Sequence, residues 1–267
     1  MSYNHFMRND LLEGFIIDPP DEKLFNEACE CMIPRDGFAK GIGTLGEKSV
    51  HSVLKYYYLP DQDYHEIHIG NYVADACREG EIFEIQSGNF GHLRPKLSEF
   101  LPEYEVTVVY PISINKKLIY IDKNDGTMLK PRTSSKHGSP YDAVIELLRI
   151  KDYLTDEHLH LQLCLLDCEE YRIYNGNAKY GKRDADKADR IPVNILGTIS
   201  FDKPSDYLSF LPEKCRKELP EEFMSRDVAR LSGFSASFSS TLCALMYAAG
   251  LAQRTKKTGN AYHYRFF

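Results

Sequence analysis

The sequence predicts a mixed fold, α/β in composition and α+β in layout, and three observations carry that prediction. Helical and alternating hydrophobic periods follow one another as α-β-β-β-α-β between residues 41 and 150. Val106-Thr-Val-Val-Tyr110 is β-branched and apolar throughout, as a strand covered on both faces is. Residues 221–267 then close the chain with two short capped helices and a basic hairpin. With 267 residues, 43% hydrophobic and 27% charged, the chain is long enough for a large core, and its composition excludes a disordered or fibrous protein.

The elements follow in order. Residues 1–40 show little regular period and are broken by Pro19–Pro20, so they read as an irregular N-terminal extension. Thr44 opens a helix that runs to about Tyr58, where Pro60 stops it; Val50, Val53, Leu54 and Tyr57 form its apolar stripe. Three short strands are predicted at His65–Ile69, Tyr72–Ala76 and Ile82–Gln86, with turns at Gly70–Asn71 and Glu79–Gly80. Gly91–Leu101 is a second helix, closed by Pro102. Val106–Tyr110 is the buried strand, ended by Pro111. A hairpin, Lys117–Asp122 to Thr127–Lys130, turns at Asn124-Asp-Gly126. A helix at Tyr141–Leu148 completes a domain over residues 41–154.

Residues 155–220 read as a β-containing connecting segment. Leu159, Leu161, Leu163 and Leu165 alternate, Tyr171–Tyr174 is suited to pair with them, and the charge-mixed stretch Gly176–Arg190 is expected as a mobile surface loop. Residues 221–267 read as a separate small module. Ser225 caps a helix ending near Gly233. Ser235 caps a second, with Phe238, Leu242, Leu245 and Ala249 on one stripe and Gly250 as its terminating glycine. Two strands flank Thr258-Gly-Asn260. Helix, turn, helix and basic hairpin is the layout of a winged helix-turn-helix domain.

Charge points in the same direction. The net charge is −6, yet from Ser225 onward the chain carries Arg226, Arg230, Arg254, Lys256, Lys257 and Arg265 against the single acid Asp227. A basic module on an acidic body suggests a nucleic-acid partner. The cations gather on the wing, at Arg254, Lys256 and Lys257, which suits phosphate contact. The second helix offers serines and Thr241 and no bidentate base reader, so a protein-docking or dimerising module is the competing reading.

The strongest chemical signal is Asp75 with Glu84. If Glu79–Gly80 is a two-residue hairpin loop, Asp75 lies directly opposite Glu84, with Cβ atoms about 4.5–5.5 Å apart. Gln86 lies two residues further along the same face. The surroundings are half-apolar, so the carboxylates repel unless a cation joins them, one takes a proton, or one leans towards Arg78 or Lys96. Two carboxylates with waters and a phosphate suit Mg²⁺ or Mn²⁺. Glu47 is a third acid on the core-facing side of the first helix. It also fits a capping box with Thr44, and the two roles are compatible.

These residues resemble the PD-(D/E)XK nuclease superfamily. The resemblance rests on the α-β-β-β-α-β order, Glu47 on the first helix, Asp75 on the second strand and Glu84-Ile-Gln86 on the third, and covers roughly residues 41–150. The segment Gly41–Tyr110 with Pro111 also resembles an uncharacterised bacterial family of that type. It implies a restriction-endonuclease-like αβββαβ core and a Mg²⁺-dependent (or Mn²⁺-dependent) phosphodiesterase. Asp75, Glu84 and the Ile85 carbonyl would hold the metal, and Glu47 would support the metal or a bound water, giving Glu47, Asp75, Glu84 and Gln86 as the catalytic set. Gln86 stands where the superfamily usually has lysine; glutamine positions a water but brings no charge. Arg94 and Lys96, at the start of the next helix, are candidates to supply that charge to a phosphate. The expected partner is nucleic acid, DNA before RNA; the sequence leaves the oligomeric state open, with a homodimer one option because many nucleases of this kind cut both strands as dimers. The alternative is a catalytically inactive nuclease-fold protein that binds or regulates DNA, with Gln86 marking the loss.

Other signals are weaker. Gly41-Ile-Gly-Thr-Leu-Gly46 matches a dinucleotide-binding pattern but lacks the apolar strand that should precede it; a nucleotide-dependent enzyme is the third reading. No G-x-S-x-G elbow occurs. His65, His68, His158 and His160 complete no transition-metal set. The seven cysteines are scattered without a C-x-x-C pair, as expected of reduced thiols. No run of 18 apolar residues occurs, and the N-terminus lacks the basic start and apolar core of a signal peptide, so a cytoplasmic protein is expected.

Overall fold

The computed structural model describes residues 12–33, 49–179 and 182–267. The first helices are α1 (Glu22–Met32) and α2 (Ser49–Tyr58). Strands β1 (His65–Ile69), β2 (Tyr72–Arg78) and β3 (Glu81–Ile85) follow, then α3 (Arg94–Phe100), β4 (Glu105–Asp122), β5 (Arg132–Thr133) and α4 (Ala143–Arg149). Two long strands, β6 (Leu159–Lys179) and β7 (Lys182–Phe201), lead through α5 (Glu213–Glu218) to β8 (Phe223–Met224), α6 (Ser225–Ser232), α7 (Ala236–Ala248), β9 (Ala252–Thr258) and β10 (Ala261–Phe266).

The protein is mixed α and β, built on a seven-stranded sheet of order β1-β2-β3-β4-β6-β7 with β5 beside β4. β1, β2 and β3 are antiparallel neighbours, whereas β3–β4 and β4–β6 are parallel and β7 returns antiparallel on β6. The central strands are covered on both faces. Val106, Val108, Leu161 and Leu163 pack with Leu97, Phe100 and Leu147 of α3 and α4. Val109, Cys164 and Leu166 pack with Phe25 of α1 and Val53 and Leu54 of α2. A strand with helices over both faces has no polar side to show, which is why its sequence is apolar without interruption.

Both early turns form as two-residue connections. Glu79 (φ 54°) and Gly80 (φ 89°) are both left-handed, the backbone a type I′ turn needs. The ladder that follows pairs Cys77 with Ile82 and Ala76 with Phe83.

The structure corrects five expectations. Residues 22–32 are not irregular but form α1, opened by the Asp21 side chain accepting the Leu24 N–H at 2.9 Å and held by burial of Phe25 and Ala28. β4 does not stop at Pro111 but continues to Asp122. The last bond that the β3 segment makes to β4 is from the Gln86 N–H to the Val109 carbonyl at 2.9 Å. Pro111 faces that same side beyond the end of β3, so its missing N–H costs no ladder bond. The segment 155–220 is not a connector, since β6 and β7 belong to the main sheet. The stretch 176–190 is largely the far end of the β6–β7 hairpin. Finally, residues 221–267 share the core of the body: Leu242, Leu245 and Met246 of α7 join the same apolar cluster as Val144 and Leu147 of α4. Tyr141 meets the rings of Phe234 and Phe238 at 5.0 and 6.0 Å, edge to face.

The C-terminal helices and hairpin form over the expected ranges, but Ser225 is the first residue of α6 rather than its cap: Met224 holds that position, its N–H donating to Asp227 Oδ2 at 2.9 Å. The Ser235 hydroxyl accepts the Phe238 N–H at 3.2 Å and starts α7, and Gly250 (φ 69°) follows its end. All seven cysteines are free thiols.

Candidate active site

One step beyond Ala76 and Phe83, Asp75 meets Glu84, as the turn arithmetic requires. Here the carboxylates replace ladder bonds. The Asp75 N–H donates to Glu84 Oε1 at 3.2 Å, and the Ile85 N–H donates to Asp75 Oδ2 at 2.8 Å. The acids therefore sit in the seam between β2 and β3, and each is reached by a helix from one face. His51 Nε2 of α2 stands 3.0 Å from Asp75 Oδ2. Lys96 Nζ of α3 stands 3.0 and 2.7 Å from the two oxygens of Glu84.

Both acids are withdrawn from water, with side chains 13% and 2% exposed for Asp75 and Glu84. Burial alone raises a carboxyl pKa. At Asp75 it is outweighed by the hydrogen bond and charge of His51, the charge of Lys96 and the Ile85 N–H, and the group is held below its ordinary value. At Glu84 burial and the Asp75 charge prevail over Lys96 and push the pKa up to about 7. One seam thus holds a firm carboxylate beside one that ionises reluctantly.

A third acid extends the row. The Gly70–Asn71 turn pairs Ile67 with Ala74 and His65 with Ala76, which puts Glu66 opposite Asp75. Glu66 lies in a strand with φ 53°, an uncommon conformation for a non-glycine residue, and its carboxylate pairs with Lys55 of α2, a buried lysine. Glu66, Asp75 and Glu84 run straight across three strands, and Lys55, His51 and Lys96 meet them in turn. Neither His51 nor Glu66 was among the sequence candidates, although the second turn carries the same register information as the first.

Other candidates are placed differently. Glu47 and Gly41–Gly46 lie outside the described residues. The Gln86 amide is spent locally: β3 ends at Ile85, and the amide donates to the Gly88 carbonyl within the following turn. Arg94 is held by Asp152 at 2.6 Å and by the Arg149 carbonyl at 3.1 Å. Lys96, rather than Gln86 or Arg94, supplies positive charge at the acids. On the wing, Arg254 lies between the rings of Tyr247 and Tyr262, 4.2 and 4.1 Å from their centroids. Lys256 pairs with Glu222 at 2.5 Å, and Lys257 lies 5.2 Å from the Tyr262 ring. The acids that neutralise this region, Glu221 and Glu222, fold back from just before Ser225.

Among the described residues no group of three histidine, cysteine or acidic side chains is placed to hold a metal ion. Nor is any described helix long and apolar enough to cross a membrane.

The family follows from comparison. A model described as a domain of unknown function (DUF8091) matches residues 48–202, more than half of the chain, and the chain belongs to that family. The match begins just before α2 and ends just after β7, so it takes in the acid row and every strand of the large sheet. A protein of Treponema pallidum (strain Nichols) bearing the name "uncharacterized protein" is 29% identical over 192 residues, 71% of this chain and 74% of its own length. No solved structure matches.

Proposed function

We propose that the protein is a Mg²⁺-dependent nuclease of the restriction-endonuclease-like fold, hydrolysing phosphodiester bonds, preferentially in DNA, at Asp75 and Glu84. The observation that supports this reading is the seam geometry: two buried carboxylates in register on adjacent strands, flanked by a lysine, inside the α-β-β-β-α-β order that the superfamily resemblance implies. The C-terminal helices and hairpin read as a winged helix docked on that core.

The donor set fits a hard cation of the Mg²⁺ type. Such an ion keeps several waters and is commonly held by one or two carboxylates plus substrate phosphate, so it needs no all-protein cage. Asp75, Glu84 and the Ile85 carbonyl are the groups that would hold it, and Glu47 remains the proposed support. When bound, the ion would polarise the phosphate and lower the pKa of a water. The protein's own groups define the rest. Lys96 neutralises Glu84 and is placed to balance charge that develops on a phosphate. His51 orients Asp75, and the Ile85 N–H fixes its carboxylate. Burial keeps bulk water from screening these charges.

A second reading draws on a specific observation. Each carboxylate already has a helix-borne partner, His51 for Asp75 and Lys96 for Glu84. That pairing suits a scaffold that retains the fold and binds or regulates DNA without cutting it. Incubation with single- and double-stranded DNA and RNA, in Mg²⁺, Mn²⁺ or chelator, decides between the two. Metal-dependent cleavage lost in Asp75→Asn and Glu84→Gln supports the nuclease. Binding without cleavage of any substrate supports the scaffold. Cleavage that survives both substitutions removes the site from consideration.

A further inference from the structure

We infer that the exposed strap of residues 123–137, which leaves β4 and returns along it, is a track for the backbone of a nucleic-acid strand leading to the acid seam. The inference rests on the reading of that seam as the cleavage centre.

The strap is basic, and its three lysines are uncommitted among the described residues; Arg132 donates to the Tyr120 hydroxyl at 2.7 Å and lies 5.3 Å from that ring. The strap carries Lys123, Lys130, Arg132 and Lys136 against one acid, Asp125. Asp125 is spent on the turn, accepting the Thr127 N–H at 2.8 Å. The preceding Asp122 accepts the Asn124 N–H at 2.8 Å. Lys123, Lys130 and Lys136 are exposed and meet no carboxylate among the described residues. The wing is the reverse, because aromatic rings and Glu222 occupy Arg254, Lys256 and Lys257. Free cations displace counterions from a polyanion, and paired ones must first be released.

The strap also has a direction. Met128 bridges to Ile121, Arg132 and Thr133 pair with Leu118 and Lys117, and Ser134 N–H reaches the Lys116 carbonyl at 2.8 Å. It ends where the Gly138 N–H donates to the Ser113 carbonyl at 2.9 Å. A Cβ at Gly138 would stand 2.6 Å from that oxygen, so only glycine allows so close an approach. The strap thus descends β4 on the side that β3 vacates above Val109. Its lower end stands five residues up the strand from Val108, the partner of Glu84. At about 3.3 Å per residue that is roughly 16 Å, a span that about five steps of duplex rise at ~3.4 Å each would cover. A row of point cations in line with the cleavage seam suits a linear polyanion.

The test is binding in chelator, where cleavage plays no part. A 20-base-pair DNA duplex and its single strand are titrated over a series of salt concentrations. The strap variant Lys123→Gln/Lys130→Gln/Lys136→Gln is expected to bind more weakly and to lower the slope of log K against log salt by about 2–3, near 0.9 per lost duplex contact and 0.7 per single-strand contact. Lys214→Gln, at an exposed lysine of α5 away from the seam and the strap, is expected to keep the wild-type slope. An unchanged slope in the strap variant, no binding by the wild type, or strap-dependent binding to anionic phospholipid vesicles but not to DNA would each overturn the inference. Failure of the seam as a cleavage centre shows separately, as Mg²⁺-dependent cleavage unaffected by Asp75→Asn. Thermal melting confirms that the exposed substitutions leave the fold intact.

Discussion

Asp75 and Glu84 are tied through the backbone as well as by position. The Asp75 N–H donates to Glu84 Oε1, and the Ile85 N–H beside Glu84 donates to Asp75 Oδ2. Each acid therefore satisfies a donor that the splayed strands leave without a ladder partner. Removing either side chain strands an N–H in a buried seam, at a cost of about 1–3 kcal/mol.

That tie separates the structural from the chemical contribution. Asp75→Asn and Glu84→Gln keep an oxygen for the backbone donor but lose the charge. Both are expected to fold, with urea midpoints far closer to wild type than those of Asp75→Ala and Glu84→Ala. Cleavage is expected to fall by about 10²-fold or more, since the loss removes charge from the reacting centre. Amide variants that cut at wild-type rates, measured beside their unfolding curves, would contradict this.

The raised Glu84 pKa makes stability depend on pH with a definite sign. A carboxyl whose folded pKa of about 7 exceeds its ordinary value binds its proton more tightly when folded. Its contribution is complete below about pH 4.5 and is lost as pH rises towards 7. Asp75 acts oppositely: its lowered pKa gives stability that is lost as pH falls through the acid range. Urea unfolding between pH 4.5 and 7 is therefore expected to show a decline that Glu84→Gln reduces. An undiminished decline in that variant would mean another group carries it.

The wing cations are expected to serve stability more than binding. Arg254→Ala removes a guanidinium held by Tyr247 and Tyr262 and should cost on the order of 1 kcal/mol. Lys256→Gln releases Glu222, which retains Thr255 and His263, and should leave the salt slope of DNA binding within half a unit of wild type. A slope that falls by a full unit would show that the wing sheds its internal partners to meet phosphate.

What could be read beforehand divides along physical lines. Turns and caps act locally, so Glu79–Gly80 was enough to oppose Asp75 to Glu84, and Ser235 and Gly250 bounded α7. The mixed sheet was legible for the same reason, from short strands separated by strong turns. Pro111 misled because its effect depends on which neighbour its nitrogen faces, and that neighbour, β3, had already ended. The β6–β7 hairpin was obscured by its charges, which pair across the two strands or meet a distant helix, as Arg190 with Glu170 and Asp189 with Ser49. Lys96 and His51 each reach the seam from a different helix, and no spacing in one segment encodes such a meeting. Gln86 occupied the expected position in the chain, yet its amide bonds the carbonyl of Gly88, two residues on. The basic tail appeared unopposed only because Glu221 and Glu222 precede the first cap.

The start of α2 offers a last test, because it links a distant strand to the seam. Asp189 of β7 is 5% exposed. It accepts the Ser49 N–H at 3.3 Å and the Ser49 hydroxyl, so it ties α2 to β7 across 140 residues of sequence. Two residues later the same helix presents His51 to Asp75. Asp189→Ala removes the acceptor and leaves buried donors unmet, so a loss of about 1–2 kcal/mol is expected. Because α2 then loses its tie to β7, His51 should lose its hold on Asp75, and Mg²⁺-dependent cleavage should fall further than the stability loss alone explains at a temperature where the variant is fully folded. Asp189→Asn, which keeps one acceptor oxygen, should recover part of both effects. Equal activity in the alanine variant and the wild type under those conditions would show that Asp189 holds the helix without setting the position of His51.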